Sequence, residues 1–267
     1  MSVVSKKLDR MEYLVSENIS APHCFTTRLG GVSTGHLESL NLSVSRGDDP
    51  ANVAENFRRL GSVLGFSPED VVKPYQIHSD IVLQVGRQHR GMGLLAPSPI
   101  EADALITNEP GVALVVSTAD CTPILLHDPV TGAVGAVHAG WRGTAAQLGG
   151  KTAKAMCQAF GCKPENIRAA IGPNIGPCHF ETDADVPKAM EESFGPEAKD
   201  YITCRADKFY LDLKGLNALA LRRAGVQQIE ISTECTFCQS HRFWSHRATR
   251  GKWGAQGGII VCREETV

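Results

Sequence analysis

Apolar and polar residues alternate along this chain in a way that predicts many short strands and a few helices. Apolar runs at Pro123–Leu126 and Ala133–Val137 flank the turn residues of Asp128–Gly132, which predicts two strands joined by a short loop. Cys121 precedes the first run and His138 follows the second. The pattern therefore places a thiol and an imidazole at strand ends.

The residues after His138 predict a turn from a strand into a helix. The sequence Ala139-Gly140-Trp141-Arg142-Gly143 is followed by a run with helical spacing. Free N–H groups at such a helix start favour an anion, and Arg142 would add positive charge.

The remaining pattern predicts mixed strands and helices. Helical spacing covers Pro50–Leu64, with Asp48 or Asp49 as the N-cap, and recurs at Thr144–Phe160, Ala184–Phe194 and Leu213–Ala224. Strands are predicted at Pro74–Val85, Ala102–Thr107, Gly111–Ser117, Ile167–Ile171, Val226–Ile231 and Gly258–Cys262. Residues 1–20 are expected to be a leader or an edge strand, and residues 21–267 a single domain. Strands outnumber helices and regular βαβ units are few, so we expect a layered α/β sandwich with mixed sheets.

Composition narrows the class of protein. The 267 residues are 42% hydrophobic, enough for a large core, and the net charge of −2 argues against a general nucleic-acid or membrane-surface binder. The first residues lack an apolar signal region, and no apolar stretch approaches the roughly 20 residues of a membrane span. Nine cysteines without an export signal indicate thiols or metal ligands. The expectation is a cytoplasmic protein.

His78, Cys121 and His138 are candidate metal ligands. Imidazole and thiolate together suit zinc, and three protein ligands with an open position are typical of a catalytic site. Their spacing is not a local motif, so two other interpretations stay open. Cys121 could be a nucleophile with His138 as its base, or all three could be buried structural residues.

Two further stretches carry candidate chemistry. Cys235 and Cys238 form a C-x-x-C motif with no second cysteine pair nearby in the sequence, and we expect a structural role. His241–Trp253 interleaves basic and aromatic residues, for which a small phosphate or a nucleobase is a better-sized partner than a nucleic acid. Arg28 and Arg46 lie in a Gly- and Ser-rich stretch that could bind an anion.

Many short motifs resemble one known family over the region from Arg28 to Val261. The chain is similar to the laccase-domain family, formerly described as multicopper polyphenol oxidases and now understood as zinc-dependent purine nucleoside phosphorylases. The matching residues are Arg28–Ser33, Ser39–Leu42, Gly47–Pro50, Glu55-Asn56, Gln76–His78, Ala102–Ala104, Thr118–Cys121, His138–Gly143, Ile171–Pro173 and Ser245–Arg247.

The resemblance implies a metal site, a fold and a set of activities. Its zinc ligands fall on His78, Cys121 and His138. The implied fold is a single-domain α–β–β–α sandwich, similar to cysteine-hydrolase toxin domains. The implied activities are phosphorolysis of adenosine, inosine and methylthioadenosine, and deamination of adenosine, so the expected partners are purine nucleosides and inorganic phosphate. The sequence does not give the oligomeric state.

The roles around this site follow from donor chemistry. Fork-shaped guanidinium groups suit phosphate, and Arg46 and Arg142 rank above Arg28 and Arg247. Asn41 and Ser39 are candidates for binding sugar or base, and Asp120 and His179 for handling protons. The family usually has an aromatic residue and a second arginine around Arg247, followed by Thr-Gly-Arg, whereas His246, Ala248 and Thr249–Lys252 stand here.

Three alternatives to zinc phosphorolysis remain. Copper oxidation ranks lower because multicopper sites need many paired histidines, and the nine here include no H-x-H. A Cys121–His138 thiol hydrolase uses the same residues. A non-enzymatic binding module would have a structural zinc, with Cys178 or His179 closing the site as a fourth ligand.

Overall fold

Two six-stranded β-sheets lie face to face in the computed structural model, which describes residues 3–263. The first sheet has the order β1 (Val4–Leu8), β2 (Met11–Val15), β3 (His23–Thr26), β15 (Gln256–Cys262), β7 (Val112–Thr118) and β4 (Val71–Val72). The second has the order β14 (Gln228–Ile231), β10 (Arg168–Ile171), β8 (Thr122–His127), β9 (Val134–Ala139), β6 (Ala104–Thr107) and β5 (Val82–Gln84). A small third sheet has the order β11 (Glu181–Thr182), β13 (Lys208–Leu211) and β12 (Ile202–Arg205).

Both large sheets mix strand directions, as predicted. In the first sheet β4 runs parallel to β7, and the other neighbouring strands are antiparallel. In the second sheet β5 is parallel to β6 and β14 is parallel to β10, while β8 and β9 form an antiparallel pair.

The described residues form six α-helices. They are α1 (Pro50–Leu64), α2 (Trp141–Ala145), α3 (Leu148–Phe160), α4 (Asp185–Phe194), α5 (Leu213–Arg223) and α6 (His246–Thr249). Within residues 3–263, none of them is long and apolar enough to cross a membrane.

The buried clusters give the order of the layers. Phe57 of α1 packs with strand residues of the first sheet on its outer face. Phe25 and Leu125 belong to the cluster between the two sheets. Met156 of α3 and Leu221 of α5 pack on the outer face of the second sheet. This is the expected α–β–β–α sandwich.

Predictions are confirmed for elements whose ends are determined by residues within or next to the element. The first helix spans Pro50–Leu64 as predicted, and the Asp49 side chain accepts a hydrogen bond from the backbone of Ala51. The predicted strand pair around Asp128–Gly132 is the β8–β9 hairpin.

Two predicted elements differ from the structure. The single helix expected over Thr144–Phe160 is divided into α2 and α3, because Gln147 has a left-handed backbone with a φ of 56°. Of the predicted strand Pro74–Val85, only Val82–Gln84 is a strand. The N–H groups of Ile77 and Ser79 instead donate to the side chain of Asp103, so this segment is a loop tied to a carboxylate.

Acid should destabilise the fold through His127, a residue of β8 whose side chain is 4% exposed. Burial and the nearby Arg168 lower the pKa of His127 to about 4. Between the ordinary histidine value of about 6.5 and that pKa, the unfolded chain binds more protons than the folded one. The free energy of unfolding should therefore fall by about 2 kcal/mol between pH 7 and pH 4.5 from this group alone.

Urea unfolding at several pH values measures this loss. His127→Gln should make the free energy of unfolding less dependent on pH in this window, whereas His36→Gln, at an exposed position, should leave the wild-type dependence unchanged. If the free energy of unfolding of His127→Gln fell with pH as much as that of the wild type, His127 would not be the source of the acid sensitivity.

Candidate functional site

His78, Cys121 and His138 meet at one end of the sandwich, and we call them the metal triad. His78 lies in the loop before β5, Cys121 between β7 and β8, and His138 in β9. One ligand atom from each lies within 4.8 Å of the others, and the Cys121 sulfur is 4.0 Å from Nε2 of His78. His78 is exposed and His138 is buried. The three side chains could therefore hold one metal ion at the protein surface.

Two residues of the site have a left-handed backbone that is uncommon outside glycine. The φ angles are 59° at His78 and 85° at Asp120, which precedes Cys121. The Asp120 carboxylate accepts hydrogen bonds from the Thr236 hydroxyl at 2.6 Å and the Arg247 N–H at 2.7 Å. Such backbones persist where the surroundings fix them, and here tertiary hydrogen bonds do so.

Asp103 connects the two histidines of the metal triad. It is fully buried, and one carboxylate oxygen lies 2.8 Å from Nδ1 of His138. The other oxygen accepts from the backbone N–H and hydroxyl of Ser79, at 2.5 and 2.8 Å, and from the Ile77 N–H at 3.3 Å. Asp103 thus directs Nε2 of His138 toward Cys121 and also holds both neighbours of His78.

Sequence reasoning gave Asp103 no role, although the residue lies in one of the family motifs. The signal that could have found it is a carboxylate between Ala102 and the buried strand that begins at Ala104. Burial would raise the pKa of Asp103, but His138 and the Ser79 hydrogen bonds lower it to about 2. Asp103 is therefore a buried carboxylate that orients the His138 ring.

The thiol of Cys121 is activated by its neighbours. Burial alone would raise its pKa, but the adjacent His138 and the hydrogen bond with His78 lower it to about 6. Burial lowers the pKa of His138, whereas Cys121 and Asp103 raise it, and the net value is about 9. The thiolate is the form of cysteine that both ligates metals and attacks electrophiles. The donor set therefore fits a soft divalent metal, and without a metal it equally provides a thiolate nucleophile paired with the His138 imidazolium.

Gly140 allows the metal triad to close. A Cβ at this position would lie 3.0 Å from Cδ2 of His78 and 3.2 Å from the Cys121 sulfur. Gly140→Ala should therefore push two ligands apart and weaken metal binding by about 10-fold, at the lower end of the range for changes that misplace ligands. Titration of the variant against a chromogenic zinc chelator measures the affinity.

Gly143→Ala is the matched control for this prediction. A Cβ there meets its nearest neighbours at 3.5 Å, an ordinary van der Waals distance, so metal affinity should be retained. Equal affinities in the two variants would contradict the steric role of Gly140.

Two of the predicted phosphate-binding arginines are engaged by the protein itself. The Arg28 guanidinium lies 3.8 Å from the ring centre of Trp244 and donates to the carbonyls of Ser240 and Glu38. The Arg247 guanidinium donates to the carbonyl of Glu181. Both arginines therefore brace loops of the protein.

Asn41 is likewise occupied by its own loop. Its side chain is fully buried, donates to the Ser43 carbonyl and the Asp48 carboxylate, and accepts from the backbone N–H of Ala255. A direct contact with substrate stays a prediction for Asn41.

Arg46 and Arg142 are exposed, and their guanidinium groups lie over aromatic rings. The ring centres are those of Trp253 at 4.4 Å and Trp141 at 4.2 Å. Within the described part of the chain, neither guanidinium forms an ion pair with a carboxylate. His246 packs edge-on against Trp253 with ring centres 4.1 Å apart, and Arg247 follows it with its N–H on Asp120. A chain of contacts thus connects Arg46 to the residue before Cys121.

The two residues expected to handle protons have other partners. Asp120 is bonded to Thr236 and Arg247, as described above. The His179 ring stacks on Phe237 at 4.0 Å, and its Nδ1 lies 3.3 Å from the Cys238 sulfur. Cys178 and His179 therefore form a second group with the C-x-x-C motif and do not join the metal triad.

The chain is similar to known proteins in both sequence and structure. The family described as multi-copper polyphenol oxidoreductase laccase matches residues 22–263. A Deinococcus radiodurans protein named purine nucleoside phosphorylase is 38% identical over 247 residues, covering 92% of this chain and 91% of the relative. The crystal structure of YlmD from Geobacillus stearothermophilus superposes with a TM-score of 0.91 at 35% identity and covers 98% of this chain and 100% of that one. YfiH from Bacillus licheniformis gives a TM-score of 0.90 at 33% identity, covering 96% and 98%.

Proposed function

Since the chain belongs to the family described as multi-copper polyphenol oxidoreductase laccase, and relatives such as the Deinococcus protein are named purine nucleoside phosphorylase, we propose that it is a purine nucleoside phosphorylase. Its proposed substrates are adenosine, inosine and methylthioadenosine with inorganic phosphate. Adenosine deamination at the same site is the second proposed activity.

The observation that carries the proposal is the convergence of His78, Cys121 and His138 at an accessible point of the surface. One thiolate and two imidazoles suit zinc, and three protein ligands leave a position for water or substrate. Copper oxidation is disfavoured because multicopper sites need more paired histidines than this sequence offers. When bound, zinc supplies a Lewis acid that polarises an oxygen of water or substrate.

In this proposal the residues around the metal triad bind and orient the phosphate and the nucleoside. Arg46 and Arg142 present exposed guanidinium groups, which suit a phosphate dianion. In phosphorolysis a phosphate oxygen bonds to C1′ of the ribose while the C1′–N9 bond breaks, and the purine leaves with the bonding electrons and takes up a proton. In deamination water adds at C6 of adenosine, and the exocyclic amino group leaves as ammonia.

Chromatography of adenosine incubated with the zinc-loaded protein, with and without phosphate, tests both activities. Adenine and ribose-1-phosphate should form only in the presence of phosphate, and inosine should form without it. Parallel reactions with inosine and methylthioadenosine define the range of substrates. Intact adenosine under both conditions would contradict the proposed function.

Arg142→Ala should raise the KM for phosphate by about 10- to 100-fold, because a charge-assisted hydrogen bond contributes about 1.5–3 kcal/mol. Initial rates at varied phosphate measure the change. Arg58→Ala is the control, since Arg58 is an exposed arginine that pairs with Glu55 on α1. An unchanged phosphate dependence in Arg142→Ala would remove this residue from the site.

A thiol hydrolase is the second candidate function, favoured by one arrangement in the site. Cys121, with its lowered pKa, lies beside His138, which is oriented by Asp103. A nucleophile, a base and an orienting carboxylate are the parts of a cysteine hydrolase. Hydrolytic activity that survives complete zinc removal and is abolished by alkylation of Cys121 would favour this function over the phosphorylase.

A further inference from the structure

A second group of potential ligands, distinct from the metal triad, consists of three cysteines and a histidine: Cys178, His179, Cys235 and Cys238. We call these four residues the cysteine cluster. Their four ligand atoms all lie within 4.8 Å of one another. The sulfurs of Cys178 and Cys238 are 3.6 Å apart, and the Cys238 sulfur is 3.3 Å from Nδ1 of His179. Cys178 and Cys238 are separated by 60 positions in the sequence, so folding alone brings the four residues together.

We propose that the cysteine cluster is a second metal site, which binds a structural Zn²⁺ with four protein ligands. Zinc–sulfur bonds of about 2.3 Å place two sulfurs of a tetrahedron about 3.8 Å apart, close to the spacing in this cluster. Three cysteines with one histidine are a frequent ligand set of structural zinc sites. Because the protein fills all four coordination positions, a zinc ion here would stabilise the fold and have no open position for a substrate.

The surroundings favour a metal over a disulfide. A disulfide has a sulfur–sulfur distance of about 2.05 Å and would use only two of the three thiols. His179 aims its Nδ1 at the Cys238 sulfur, which a disulfide would not require. The Gly176 N–H donates to the Cys235 sulfur at 3.2 Å, and hydrogen bonds of this kind orient and stabilise a thiolate ligand.

The cluster joins two loops that contact Asp120, the residue before Cys121: the first covers residues 172–180 after β10, and the second covers residues 232–245 after β14. Ile175, from the first loop, donates its N–H to the Asp120 carbonyl at 3.0 Å. Thr236, between the two cysteines of the C-x-x-C motif, donates its hydroxyl to the Asp120 carboxylate at 2.6 Å. A zinc ion in the cluster would fix both loops and, through Asp120, the backbone that presents Cys121. The cluster residues are therefore positioning residues for the metal triad.

Counting metal ions in the purified protein tests this second site independently of any enzyme activity. Protein expressed and purified with zinc under reducing conditions should contain two zinc ions per chain, as measured by inductively coupled plasma mass spectrometry. Cys178→Ser/Cys238→Ser, which changes two exposed cysteines, should contain one, and Cys121→Ala should also contain one. Cys204→Ser, at another exposed cysteine, is the control and should retain two.

Cobalt substitution then distinguishes the two sites by their ligands. The cysteine cluster offers three thiolates to Co²⁺ and the metal triad offers one, so most of the thiolate-to-cobalt charge-transfer absorption should belong to the cluster. That absorption should survive in Cys121→Ala and be lost in Cys178→Ser/Cys238→Ser.

Two results would overturn the proposal. The first is a zinc content of one per chain in wild-type protein that also lacks the strong thiolate-to-cobalt absorption of a three-cysteine site. Neither of these measurements depends on the folding of a variant. The second is a Cys178–Cys238 disulfide in protein purified under reducing conditions with zinc. If the wild-type protein contained two zinc ions but did not cleave nucleosides, the proposed function would be contradicted and the proposal of a second metal site would still hold.

Discussion

Cys121→Ala should lower the turnover of adenosine with phosphate by about 10³-fold, the largest effect of any single change we predict. The substitution removes the only thiolate of the metal triad and leaves His78 and His138, which are too few ligands to retain zinc. A metal ion that polarises a reacting oxygen contributes several kcal/mol, and about 4 kcal/mol corresponds to 10³ in rate. Initial rates and zinc content of the same preparation measure the loss.

Two matched variants distinguish the possible causes of the lost turnover. Cys157→Ala changes a half-buried thiol on α3 and should retain both activity and zinc. Cys121→Asp replaces the thiolate by a carboxylate, which can ligate zinc, so some metal and activity should return if Cys121 is a ligand. If Cys121 is a covalent nucleophile, the aspartate variant should be as inactive as the alanine variant. Full activity in Cys121→Ala would exclude both roles.

Asp103→Asn should weaken zinc binding by about 10- to 100-fold, the range measured for residues that orient metal ligands. The buried carboxylate accepts hydrogen bonds from Ser79 and Ile77 and pairs with Nδ1 of His138. An amide of the same shape has one acceptor oxygen, so it loses either the orientation of His138 or the anchor of the His78 loop. Competition with a zinc chelator measures the affinity, and excess zinc should restore most of the activity.

Asp80→Asn is the control for this experiment. Asp80 lies two positions after His78, is exposed and pairs with Lys151 on the surface. Its removal should leave zinc affinity within about twofold of the wild type, because exposed ion pairs contribute little. Wild-type zinc affinity in Asp103→Asn would show that Asp103 does not position the metal triad.

Local signals in the sequence were sufficient for elements that stabilise themselves. Helix α1 was predicted over its full length because its apolar spacing, its proline at the first position and its Asp49 cap all lie within the helix or beside it. The β8–β9 hairpin was predicted for a similar reason, since its turn lies between two apolar runs.

Elements that depend on distant partners were predicted wrongly. The segment around His78 has the composition of a strand, but its N–H groups bond to the carboxylate of Asp103 in another segment. The helix expected over Thr144–Phe160 divides at Gln147, a residue type that local rules would not place in a left-handed backbone. The Gln147 side chain donates to the carbonyl and the hydroxyl of Ser193 on α4. In both cases tertiary contacts override local propensity.

The sequence by itself determined the layered mixed-sheet fold, the residue types of the metal triad and the resemblance to a phosphorylase family. These properties depend on patterns and motifs that can be read along the chain. Only the tertiary structure decided that Asp103 contacts His138 and the loop of His78, that Arg28 and Arg247 brace loops, and that Cys178 and His179 join Cys235 and Cys238. The physical reason is that ligand geometry and hydrogen-bond partners depend on contacts between residues many positions apart, which spacing along the chain does not encode.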